Sequence, residues 1–452
     1  MTLTRDPDIR DDKNAAQNTK RFWYVVLPTS PMLLTAFIAP LYGFNALIEP
    51  LNKIFSPGEA NKGWSGSIIG AILFLGLGSG ALLLPKIKTF IPNVRLLMFI
   101  LISTIGLSIA IGALACWLQW YWLLIVGFSL LMGLCMSNFY SLVAFYLVSW
   151  GQQVNRVGLI TGVMGLWFGI WAAIYSYFAP IVFQTTGVIY GLLLSALFVV
   201  PAMIGIFLMR EPKSDDASTK VITPEKATPD LGMKGILSTT SFWIFFVFFL
   251  LFLMPGFGFK IIVQAMTVEV FHVTQESSSI IAVAFLASYG LARFVFGAIA
   301  DKLRLKPIYL VFCSVQCLSL LGAAIVLQLL AGPLLFTILM CITGVMFGAG
   351  KCLWTVMLVS MYGPINYTHA VRASLPAFGL AGLFGPLTLA FALRSSNVVD
   401  STAIWFYAAA FALAICFCLI WILRRYDYEA LAQHQPQQLR LRLCKRDKYS
   451  WF

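Results

Sequence analysis

Arg210-Glu211-Pro212-Lys213-Ser214-Asp215-Asp216 opens a polar stretch that runs to Thr240, near the middle of a 452-residue chain that is otherwise strongly apolar. Lys, Asp, Glu, Ser, Thr and Pro fill this stretch, a composition that makes a flexible linker rather than a packed element. Long apolar windows stand on both sides of it. Before it they fall at 24–49, 65–85, 95–115, 122–148, 157–180 and 188–209; after it at 241–265, 277–299, 307–329, 334–360, 372–393 and 402–423. A bilayer-spanning helix needs roughly 20 such residues. The linker therefore divides twelve expected spans six and six.

Composition agrees with that division. The chain is 60% hydrophobic and only 11% charged, with mean hydropathy +0.86, whereas soluble domains carry about 25% charged residues. The alternating segments of about ten residues that mark an outer-membrane barrel do not occur. The expected fold is an all-α membrane protein with twelve transmembrane helices in two six-helix bundles. Its parts are a tail (1–23), a first bundle (24–209), a linker (210–240), a second bundle (241–423) and a basic tail (424–452).

The net charge of +13 would suggest nucleic acid in a soluble chain, but here its placement accounts for it. Lys and Arg cluster in the N-terminal tail, the 86–95 loop, the linker, the 302–306 loop and the C-terminal tail. Alternate loops hold few: Lys53 and Lys62 in one, Arg394 in another. This positive-inside bias puts both termini in the cytoplasm, in the inner membrane if the source is bacterial. The bilayer is the expected large-scale partner, with no nucleic acid and no obligate second copy. Nine cysteines, most of them inside apolar segments, form no disulfide or metal framework. Without a Walker loop or a Ser/His/Asp arrangement, no enzyme, cofactor or ATP-driven pump is expected.

The two halves echo each other. Pro40-Leu41-Tyr42-Gly43-Phe44-Asn45 in the first segment matches Pro255-Gly256-Phe257-Gly258-Phe259-Lys260 in the seventh. Both read Pro, any residue, aromatic, Gly, Phe, polar. Sharing an ordinal position in each half, they suit a parallel repeat about the membrane normal. Glycines 158, 162, 165 and 169 in the fifth segment, and 379, 382 and 385 in the eleventh, let helix backbones approach closely.

Charge at bilayer depth is costly and points to a functional site. Arg293 and Lys351 are the ionised residues near the middle of apolar segments, and no carboxylate accompanies them at similar depth. Two such cations suggest a pathway for an anion. Arg293 offers a planar fork that stays charged; Lys351 has Trp354 and Thr355 as neighbours suited to a cavity wall. Lys260 lies near the outer end of its segment, where a snorkelling interfacial lysine fits somewhat better than a cavity residue. Tyr42 and Asn45 could hydrogen-bond a substrate, and Asn138 and Tyr140 occupy roughly the position of Lys351 in the other half. Glu49 reads as a boundary carboxylate, and His272 and His369 as loop residues.

Gly297-Ala298-Ile299-Ala300-Asp301-Lys302-Leu303-Arg304 resembles the Gly-x-x-x-Asp-Arg/Lys-x-Gly-Arg/Lys loop of the major facilitator superfamily. That resemblance implies that Asp301, with Lys302 and Arg304, latches a cytoplasmic gate. The equivalent first-half loop has Pro85 near the Asp position. Tyr42-Gly43-Phe44 with Pro50-Leu51, Gly290-Leu291-Ala292-Arg293 and Tyr362-Gly363-Pro364-Ile365-Asn366 are similar to the oxalate/formate antiporter and monocarboxylate transporter branch. The branch implies that Arg293 meets a substrate carboxylate. Oxalate carriers place a Lys on the eleventh helix where this chain reads Ala377-Phe378-Gly379, which speaks against a dianion such as oxalate, although Lys351 could substitute. The expectation is a secondary transporter of a small organic anion, a monocarboxylate, driven with a proton or a counter-anion. The alternatives are an exporter of neutral or amphipathic compounds and a transport-inactive membrane sensor.

The charge asymmetry makes a topology prediction. Reporters fused after Lys220 and after Arg442 will report cytoplasm, and those near Glu59 and Val398 the opposite side. An external signal at Lys220 would break the two-times-six arrangement.

Overall fold

A computed structural model describes residues 20–37, 44–55, 65–153, 157–209, 231–300, 304–329 and 332–423, the side chains of 44, 45, 152, 153, 157, 364 and 365 excepted. Every regular element within them is helical. In chain order they are α1 (Phe22–Phe37), α2 (Phe44–Phe55), α3 (Ser65–Gly80), α4 (Leu84–Phe90) and α5 (Val94–Trp117). Then come α6 (Tyr121–Gly151), α7 (Val157–Ala196), α8 (Val199–Leu208) and α9 (Gly232–Leu237). The last six are α10 (Thr240–Phe271), α11 (Gln275–Ile299), α12 (Leu305–Leu329), α13 (Pro333–Gly363), α14 (Asn366–Leu393) and α15 (Val398–Leu423).

Among the described residues nine helical stretches are long and apolar enough to cross a membrane, or ten if the bent pair α3 and α4 counts as one span. The count differs from twelve for local reasons. The helix Gly158–Leu208 would be about 76 Å long if straight, against a hydrocarbon core of roughly 30 Å. It is interrupted at Gly187, whose φ of 79° and ψ of 166° are open to a residue without a Cβ. Gly363 (φ 77°, ψ 167°) makes the same break between α13 and α14. Of the first segment, expected over 24–49, the described residues form α1 and the start of α2, and residues 38–43 lie outside them.

α10 is longer than its apolar window suggested. It runs six positions beyond residue 265 to Phe271, where His272 turns the chain in the left-handed region (φ 52°). Thr239 caps its start by accepting from Phe242 N–H. His369, expected in a loop, lies in α14. Glu49 sits midway along α2 and pairs with Lys53 one turn on at 2.6 Å, both side chains partly exposed.

Contacts between the two halves of the chain run along glycine edges. Gly162 and Gly169 of α7 meet Gly297 and Gly290 of α11, backbone against backbone, and Gly78 of α3 meets Gly379 of α14 in the same way. A Cβ at any of these points would collide with the facing chain. Pro180 adds a directional contact. Lacking N–H, it leaves the Ser176 carbonyl one turn back without its helical donor. Gln264 Nε2 of α10 supplies that donor from the other half at 3.3 Å. The exposed surface carries large apolar side chains such as Phe207, Trp117, Leu329 and Phe411.

The α7–α11 crossing is therefore intolerant of bulk. Gly290→Val should lower the thermal stability of the purified protein, at about 1–3 kcal/mol for overpacking of this kind. A melting curve superimposable on wild type would contradict the close crossing.

Candidate functional site

The glycine edge of α7 makes room for Arg293. Gly165 faces the Arg293 side chain itself, so a side chain at 165 would displace the guanidinium. The released space lets Arg293, only 5% exposed, lie along α7. Its Nη1 donates to the Tyr289 hydroxyl at 3.3 Å, and Tyr140 of α6 is hydrogen bonded to it. Its Cζ stands 5.2 Å from the Phe168 ring centre and 5.5 Å from that of Tyr289.

Lys351 projects from α13 into an aromatic box. Its Nζ is 4.4 Å from the Phe378 centroid, 5.4 Å from Phe257 and 5.7 Å from Tyr289. Phe378, in the Ala377-Phe378-Gly379 stretch of α14, cradles a lysine reaching over from a different helix. Lys260, a site candidate for which an interfacial place was the slightly better fit, is 3% exposed, with Nζ 5.7 Å from Phe74 and 5.8 Å from Phe257. The reason is the length of α10, which carries the helix on to Phe271 and leaves Lys260 well inside it.

Phe257 serves both lysines, and Tyr289 serves both Lys351 and Arg293. The rings offset part of the cost of burying three cations, since one such contact contributes about 0.5–2 kcal/mol. Desolvation costs several kcal/mol per ion. The rings therefore offset only part of the cost of burying these basic side chains.

All three cations line one cavity, together with Phe37, Leu77, Tyr140, Phe168, Trp354, Leu375 and Phe378; its volume is about 40 Å³. Among the described residues no carboxylate lines it. Small-molecule sites hold roughly 300–1,000 Å³, so this is a nearly closed state that must open to admit a ligand. Trp354 is held flat by Phe249, centroids 5.0 Å apart.

Five of the expected site residues thus meet: Arg293, Lys351, Lys260, Tyr140 and Trp354. Asn138 does not line the cavity; it is buried and its Nδ2 donates to the Leu134 carbonyl at 2.8 Å. The side chains of Tyr42 and Asn45 lie outside the described residues, as do Asp301 and Lys302, while Arg304 is exposed just before α12. Phe37, Leu77, Phe168, Leu375 and Phe378 were not anticipated from sequence. Their one common signal is apolar character, which the whole chain shares.

Residues 22–386 match the family model described as Major Facilitator Superfamily. No curated protein matches the chain in sequence. Among solved structures, a D-xylose–proton symporter aligns at 13% identity with TM-score 0.71, covering 90% of this chain and 99% of its own. The nucleoside transporter NupG aligns at 12% identity and TM-score 0.64, covering 88% and 99%. A human organic anion transporter aligns at 15% and 0.56, covering 92% and 100%. At these identities the likeness concerns the fold.

If Gly165 is the seat of the guanidinium, filling it should disable the site without removing the protein. Gly165→Val is expected to cut uptake at least about tenfold, equivalent to 1.4 kcal/mol, with membrane abundance near wild type. Unchanged uptake would mean that Arg293 does not depend on this space.

Proposed function

The chain belongs to the major facilitator superfamily, and on that premise we propose that it carries a small organic anion across the membrane by alternating access. Membership makes it a multi-pass integral membrane transporter rather than an enzyme. The proposal extends to twelve spans in two bundles (24–209 and 241–423), with both termini cytoplasmic and a proton or a counter-anion as the coupled species.

One observation carries the anion reading. Arg293, Lys351 and Lys260 line the same cavity, and no carboxylate lines it among the described residues. A carrier of cations needs the opposite arrangement. A carrier of neutral sugars or nucleosides has no use for three desolvated positive charges. In the proposed mechanism the Arg293 fork grips a carboxylate, Lys351 shares its charge, and Tyr140 and Trp354 shape the pocket. Binding draws cationic side chains of the second half towards a substrate that also contacts the first half, through Tyr140, Phe37 and Phe168. This differential contact is what would shift the equilibrium between open states. Tyr42 and Asn45 are proposed to close the first-half side, and Asp301, with Lys302 and Arg304, to latch the cytoplasmic gate.

Substitution of Arg293 tests the reading. Arg293→Lys keeps the charge and loses the bidentate fork, so anion binding should weaken. Arg293→Gln should abolish measurable uptake, because losing a desolvated ion pair costs about 2–5 kcal/mol. Lys351→Gln should be milder. Surface labelling would first establish that each variant reaches the membrane. Wild-type uptake by inserted Arg293→Gln protein would overturn the anion site and leave the neutral-compound exporter as the better account.

A further inference from the structure

We propose that the cavity takes an elongated dianion, two carboxylate-like groups set several bonds apart, with Lys260 holding the second group. The proposal rests on the anion reading above and narrows its substrate class from monocarboxylate to dicarboxylate.

Three observations carry it. The first is that the buried Lys260 lines the cavity at all, so the site presents three cations rather than two. The second is their stagger. α10 and α11 meet at the turn 272–274. Counting back from that turn, Lys260 stands 11 positions inside α10 and Arg293 18 positions inside α11, which at 1.5 Å per residue separates their depths by about 10 Å. The third is the way the rings link them. Lys351 shares Phe257 with Lys260 and Tyr289 with Arg293. On this reading the three form a row with Lys260 and Arg293 at its ends.

A monoanion on Arg293 engages one end of this row and leaves Lys260 at the other. A two-carbon dianion, its charges adjacent, does the same. Once the cavity opens to admit it, a longer dianion reaches both ends and lays its apolar middle against Phe378 and Trp354, which also line the cavity. Lys260 also sits where the halves meet, facing Phe74 of α3 as well as Phe257 of its own helix. An anionic group there would touch the first half as well as the second.

The test compares two acids of equal length and one shorter dianion on the purified full-length protein. Dissociation constants for succinate, butyrate and oxalate are measured by titration calorimetry for wild type, Lys260→Gln and Lys260→Arg. Succinate should bind at least about tenfold more tightly than either butyrate or oxalate. Lys260→Gln should bring the succinate-to-butyrate ratio close to one by weakening succinate far more than butyrate, and Lys260→Arg should preserve most of the preference. Equal affinity for succinate and butyrate in wild type, or a preference untouched by Lys260→Gln, overturns the proposal while leaving the anion site standing. Failure of all three acids to bind overturns the anion reading itself. Should Lys260→Gln not reach the membrane, the wild-type ratio and Lys260→Arg still decide.

Discussion

Burying positive charge inside a helical bundle of this kind is the constraint around which the rest is arranged. Arg293, Lys351 and Lys260 are withdrawn from water into a cavity whose walls are otherwise apolar and aromatic. Rings face every one of them: Phe168 and Tyr289, then Phe378, Phe257 and Tyr289, then Phe74 and Phe257. Ring faces attract cations weakly compared with a carboxylate, and weakly compared with the desolvation that burial imposes. On the proposed function, such a site would gain from an anion that takes the place of the rings.

The same residues tie the site to the contacts between halves. Arg293 rests against Gly165 on the glycine edge where α7 crosses α11, and Phe378 stands one residue before Gly379, where α14 crosses α3. Glycine contacts present few interlocking side chains, so such surfaces can rock without unpicking a core. Away from the cavity, the bond from Gln264 to the Ser176 carbonyl depends on Pro180 having no N–H, and it adds a directional contact between the halves beside that of Tyr140 with Arg293. Smooth crossings beside a charged cavity, with a specific bond at one end, are what an alternating pair of bundles requires.

Much of this was legible in the amino-acid sequence. An Arg and a Lys inside apolar windows are conspicuous, so Arg293 and Lys351 stood out at once. Lys260 did not, because its window fades at 265 while the helix continues through Met266, Thr267 and Val270 to Phe271. Asn138 and Tyr140 were indistinguishable by position, yet two residues turn a helix by about 200°, so only one of them can face the cavity. The aromatic lining was invisible because aromatic residues make up 15% of the chain and nothing singles out those that meet a cation. The small residues of the fifth and eleventh segments announced close packing, but not that one of their partners would be the guanidinium of Arg293.

The central claim is that positive charge in the cavity selects anions. The most direct measurement is the melting temperature of the purified wild-type protein against matched concentrations of carboxylates, sugars and nucleosides. A ligand that binds only the folded state at a hundred times its dissociation constant stabilises by about 2.7 kcal/mol, a readily visible shift. The account predicts that carboxylates raise the melting temperature and that sugars and nucleosides leave it unchanged. A shift with xylose or a nucleoside, and none with any carboxylate, would contradict it.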